Sequence, residues 1–160
     1  MAGSAVFDNA PIKMMTGLVN IQANSTTTFC VLGTVAPTST KATWATYNDV
    51  KWAASSPFEI AVVNGYALGG SGVATAVPTV TTAVVGLKTT GALVFTTNST
   101  LAASYAIIQT LINTGSPTST TTTNPLLCYL NIGAQSVTNG TLTLTWNANG
   151  IYTATVGADS

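Results

Sequence analysis

Apolar and polar residues alternate most regularly near the C-terminal end of the chain, where Leu142, Leu144 and Trp146 interleave with Thr141, Thr143 and Thr145. A period of two marks a strand with one buried face. Tyr152, Ala154 and Val156 alternate in the same way with Ile151, Thr153 and Thr155. The turn between them sets the register. A two-residue Asn149-Gly150 loop would place Trp146 opposite Thr153 and mix the faces. A three-residue Ala148-Asn149-Gly150 loop places Trp146 opposite Tyr152, Leu144 opposite Ala154 and Leu142 opposite Val156. That loop needs a left-handed last residue, which Gly150 supplies. The pattern predicts a closing β-hairpin over Thr141–Val156.

Upstream, Asn20–Leu32 reads as two strand-like pieces around Ala23-Asn24-Ser25, with Phe29 and Val31 facing one way and Cys30 and Leu32 the other. Ala103–Ile112 fits either a buried helix or a strand covered on both faces. The strand is favoured, because Ser116–Asn124 reads as a hairpin loop leading into a second apolar strand, Leu126–Ile132. The same Thr-rich loop also fits a low-complexity tip. Between Val73 and Phe95, apolar runs are split by Pro78 and Gly86, and the glycines of Gly65–Gly70 indicate sharp turns or close backbone approach. Two short helical pieces are expected. Asn9–Thr16 has an N-cap, a first-turn proline and Gly17 as a stop, and Thr43–Lys51 carries Trp44, Tyr47, Val50 and Lys51 at helical spacing. Together these predict one all-β domain over residues 1–160, an antiparallel β-sandwich, barrel or jelly-roll-like fold with a short N-terminal helix or arm at about 1–17.

Composition changes the picture of the surface. The 160 residues include 46% hydrophobic but only 5% charged positions, with four lysines, four acids and no histidine. Ordinary soluble domains carry roughly a quarter charged residues. Thr, Ser and Asn must cover this surface instead, and with zero net charge little electrostatic repulsion opposes self-association or docking on a larger assembly. The N-terminal residues lack the pattern of a cleaved export signal, and the longest apolar run, Leu101–Ile112, is too short and too interrupted for a membrane helix. Synthesis in a reducing cytoplasm is therefore expected, with Cys30 and Cys128 as buried free thiols; a bridge would require facing Cβ atoms. The sequons at Asn24, Asn98 and Asn139 are ordinary in a Thr-rich chain.

Candidate chemistry is sparse. Without histidine there is no Ser-His-Asp or Cys-His arrangement, and two cysteines alone do not make a structural zinc site. Asp49 and Glu59 are the one candidate glycosidase pair, set against the plainer reading of isolated acids at turns and caps. Gly65–Ser71 has the glycines of a phosphate loop but no lysine after Gly70. Four scattered lysines give no basic surface for nucleic acid. The expectation is a non-enzymatic protein with no catalytic, cofactor-binding or metal-binding residues and no small-molecule substrate.

One resemblance spans nearly the whole chain. IKMMTGLVNIQANSTTTFCVLG is similar to a short helix with a Leu-Gly-like stop before an apolar strand. A Trp-containing turn (Trp44–Val50) follows, then Glu59 upstream of Gly65-Tyr66 and Gly69-Gly70. The most specific part runs through ASYAIIQ, Pro125-Leu126-Leu127-Cys128-Tyr129, Gly133, Val137, Asn139-Gly140-Thr141 and Trp146-Asn147-Ala148-x-Gly150-Ile151. In order and spacing these elements resemble the small head decoration, or cement, proteins of tailed bacteriophages. The resemblance implies a virion structural protein on the outer head surface, a homotrimer whose partner is the major capsid protein. The alternative is a minor tail or fibre-like protein that recognises the host surface, with Trp44, Tyr47 and Trp52 stacking on glycans. Core roles for those aromatics are the plainer reading.

Overall fold

The computed structural model describes residues 5–6, 28–35, 46–50, 58–75, 79–81, 84–87, 89–110, 124–146 and 152–155. Its strands are β1 (Ala5–Val6), β2 (Thr28–Gly33), β3 (Ser71–Gly72), β4 (Thr79–Thr81), β5 (Val84–Leu87), β6 (Leu93–Thr110), β7 (Leu126–Leu144) and β8 (Tyr152–Thr155). All described pairings between strands are antiparallel. One sheet has five strands in the order β1-β7-β6-β2-β3, and the other has three in the order β4-β5-β8. The fold class is all-β, as the alternation predicts. The only described helical piece is a 3₁₀ turn at Tyr47–Asp49, inside the stretch expected to be helical. The expected Asn9–Thr16 helix lies outside the described residues.

The ribbon formed by β6 and β7 organises the larger sheet. Along its first half Leu93, Phe95, Thr97, Leu101 and Ala103 are buried, while Val94, Thr96, Asn98, Thr100 and Ala102 are exposed. From Ala106 to Thr110 every residue is buried, because β2 joins the other edge of β6 there and both faces of the sheet are covered. As far as Thr110 this is the strand covered on both faces expected for Ala103–Ile112, and it resolves the helix-or-strand ambiguity there; residues 111 and 112 lie outside the described residues. The alternation on β2 also holds. Cys30 and Leu32 enter one apolar cluster with Ala106, Ile108 and Phe95. Val31 enters a second with Ile107, Tyr47, Val50 and Phe58. Since neighbouring residues on a strand point to opposite faces, the two clusters occupy the two sides of the β2–β6 pair.

The closing hairpin is a correction. Leu142 pairs with Phe95 and Leu144 with Leu93 on β6, whereas Tyr152 and Ala154 pair with Leu87 and Val85 on β5, in the other sheet. The alternation had identified two strands with apolar faces. Periodicity does not name a strand's partner, and β6 offers Leu142 and Leu144 a matching apolar alternation over Leu93–Thr97. The Ala148-Asn149-Gly150 turn lies outside the described residues, as does Ser116–Thr123.

Candidate functional site

The densest polar constellation is buried and centres on Glu59. The residue lies in the apolar run Phe58-Glu59-Ile60 and is 1% exposed. Backbone pairing fixes it: Glu59 N–H donates to the Val50 carbonyl (3.0 Å), and on either side Thr34 N–H donates to Phe58 (3.1 Å) and Ile60 N–H to Leu32 (3.0 Å). Its carboxylate then gathers three donors. The Tyr47 hydroxyl donates to Oε2 at 2.7 Å. Oε1 accepts from the Tyr66 hydroxyl at 2.9 Å and from the Gly69 N–H at 2.8 Å.

The partners extend outward from there. Tyr66 Oη accepts from the Leu32 N–H of β2 at 3.1 Å. Gln109 of β6 donates from Nε2 to the Gly69 carbonyl at 2.9 Å. The Tyr66 ring packs at 5.9 Å from that of Phe95, tilted by 42°. One carboxylate thus ties the 3₁₀ turn, the 63–70 loop, β2 and β6 together. Burial, reinforced by the Glu59 carboxylate, pushes both the Tyr66 and Tyr47 hydroxyls well above the ordinary tyrosine range, so both stay protonated as donors.

The loop's glycines make this arrangement possible. Gly65, Gly69 and Gly70 all have positive φ (93°, 90° and 82°), a region that side chains disfavour. A Cβ at Gly65 would overlap the Thr96 carbonyl and one at Gly70 the Cys30 carbonyl. The expected close backbone approach is therefore real, against Thr96 and Cys30, and between these two contacts Gly69 N–H donates to Glu59.

The two candidate acids have different roles. Asp49 is a turn cap, its Oδ2 accepting from Thr46 N–H at 2.8 Å, which is the plainer reading of that residue. Glu59 is not an isolated acid at a turn but a buried hub. The signal for it was an acid inside an apolar run in a chain with almost no charge. Tyr47 is fully buried and takes a core role; Trp44 and Trp52 lie outside the described residues. Cys30 and Cys128 are buried thiols not joined in a disulfide, and burial pushes the Cys128 thiol up to about 12 and Cys30 higher still.

The exposed side of the ribbon is uncharged. Thr100 and Thr138 join their hydroxyls across it at 2.9 Å, with Thr96 and Thr141 at 3.5 Å, and Val94 beside them is half exposed. Among the described residues no cluster of three or more His, Cys, Asp or Glu is placed to hold a metal, and no helix is long and apolar enough to cross a membrane. No family model, curated protein or solved structure matches the chain.

Proposed function

We propose that this chain is a non-enzymatic virion structural protein of the cement type. It binds the outer surface of a tailed-phage head, acts as a homotrimer on a β-sandwich scaffold, and adds contacts between major capsid protein subunits. The observation that carries this reading is the Glu59 hub. In sequence, the Glu and the Gly-Tyr-x-x-Gly-Gly element are separate parts of the resemblance. In space, Glu59 binds both Tyr66 and Gly69, so the two parts form one scaffold device. The described carboxylates support a structural role, since Glu59 holds a loop and Asp49 caps a turn. The neutral threonine face of the ribbon suits docking without charge pairing. Repeated over a shell, modest contacts of this kind resist internal pressure collectively, because simultaneous engagement raises effective concentration.

Copy number tests the proposal. Quantitative mass spectrometry of purified virions should find the chain at a fixed, near-stoichiometric ratio to the major capsid protein. A few copies per particle would move the assignment to a tail or fibre protein that recognises the host.

A further inference from the structure

One row of residues crosses all five strands of the larger sheet: Val6, Cys128, Ile108, Cys30 and Ser71, each paired with the next. Both cysteines therefore stand on one face of the sheet, on either side of Ile108, and all three belong to one apolar cluster. Paired residues on antiparallel strands have Cα atoms about 4.5–5.5 Å apart, so two such steps set the cysteines roughly 10 Å apart. A disulfide needs a Cα separation of about 4.4–6.8 Å. Ile108, fully buried, stands between them.

No local adjustment closes that gap. Sliding β2 along β6 leaves β6 between the two cysteines, and a one-residue slip turns Cys30 to the opposite face. The other edge of β2 is held as well. Cys30 pairs with Ser71, and Gly70 lies so close to the Cys30 carbonyl that a Cβ would overlap it. Ile60 N–H donates to the Leu32 carbonyl at 3.0 Å, and Leu32 N–H to the Tyr66 hydroxyl at 3.1 Å. The sulfurs can meet only when β6 is not between them, before the sheet forms or after it comes apart.

We propose that Cys30 and Cys128 form a redox gate on folding. The reduced chain folds and seals both thiols, whereas a chain oxidised while open is held out of the native state by a Cys30–Cys128 disulfide. In the open chain nothing stands between the cysteines, and the entropy of closing the long loop grows only slowly with its length. A small disulfide such as oxidised glutathione is the oxidant. One cysteine thiolate attacks a glutathione sulfur and expels one glutathione; the second thiolate attacks the mixed disulfide and expels the other. The two cysteines are oxidised, and their protons end on the two glutathione thiols. In the folded chain the same reagent finds no attacking group, because burial holds both thiols protonated and thiolate is the nucleophile. The gate ties productive folding to a reducing compartment and leaves the finished fold indifferent to an oxidising one. It does not depend on head binding.

The test treats the full chain with oxidised glutathione in two states, folded in buffer and unfolded in urea. Mass spectrometry should find the folded chain unchanged. The unfolded chain should yield a monomer lighter by two hydrogens, with a peptide linking Cys30 to Cys128. After dilution from urea, that isolated species should lack the native β circular dichroism and the cooperative thermal transition, and dithiothreitol should restore both. Cys30→Ala with Cys128→Ala should refold equally with and without oxidant; rescue by reductant supplies the same control within the parent chain. A cross-linked monomer that regains the native transition without reductant would overturn the proposal. So would formation of the disulfide in the folded chain as fast as in the unfolded one, or a loss of folding that reductant does not reverse.

Discussion

Replacing Glu59 by alanine strands three buried donors at once: the Tyr47 hydroxyl, the Tyr66 hydroxyl and the Gly69 N–H. Each buried donor left without an acceptor costs about 1–3 kcal/mol. Tyr66 keeps its bond from Leu32 N–H, which does not replace the acceptor its own proton needs. The sum is about 3–9 kcal/mol, before any cost of the cavity left behind. Against a typical domain stability of roughly 5–15 kcal/mol, Glu59→Ala should be near the edge of folding. Glu59→Gln separates acceptor chemistry from volume. Its carbonyl oxygen can serve Tyr66 and Gly69, while its amide faces Tyr47, whose hydroxyl can turn to accept. The loss is then the difference between carboxylate and neutral hydrogen bonds, about 1–3 kcal/mol. Urea unfolding at matched m-values measures both variants. A Glu59→Ala stability within about 1 kcal/mol of the parent would refute the hub. A glutamine variant as unstable as the alanine variant would show that charge, not the count of acceptors, dominates.

Other consequences concern the loop, the thiols and the ribbon. Gly65→Ala and Gly70→Ala should each cost several times more than Gly91→Ala, because the first two place a Cβ against backbone at positive φ and the last meets nothing within 4 Å; equal melting temperatures would contradict the loop geometry. Burial raises the Cys128 thiol from 9.0 to about 12, so the protonated form is favoured in the fold. Its contribution is complete below pH 9, the unfolded value, and is lost as pH rises towards 12. Urea titrations should therefore show stability falling across that window, with a shallower fall in the Cys30→Ala/Cys128→Ala double variant. Ellman's reagent should find neither thiol reactive in the folded protein at neutral pH and both reactive after unfolding. Thr100→Val with Thr138→Val should leave stability nearly unchanged, since both partners of one exposed pair are replaced together, and a loss above about 1 kcal/mol would give that pair a larger part in the sheet.

Legibility in the sequence followed the type of signal. Burial on both faces from Ala106 to Thr110 removes the alternation, so that stretch fitted helix or strand and its neighbours decided for strand, whereas the opposite facings of Cys30 and Val31 could be read directly. Leu126–Ile132 and the alternation from Thr141 were legible as two strands, whereas the structure makes them one. The stretch between them, Gly133–Gly140, is held by backbone pairing with Thr97–Ala103 while its side chains are largely exposed, so it carries no apolar alternation to announce it. Partner choice was the larger failure: the face of Leu142 and Leu144 was evident, but which strand completes it depends on competing alternations far away in the chain. For the site, the glycines announced close approach correctly, but what approaches Gly69 is a carboxylate ten residues earlier. Charge scarcity was the available clue, because an acid inside Phe58–Val63 requires a buried set of donors.

The most direct test of the central claim is to add purified protein to expanded phage heads that lack it and to measure occupancy by sedimentation. The account predicts binding that saturates at a fixed ratio to the major capsid protein and that changes little between low and high salt, since an uncharged interface has few charges to screen. No affinity for heads, together with saturable binding to host cells, would contradict it.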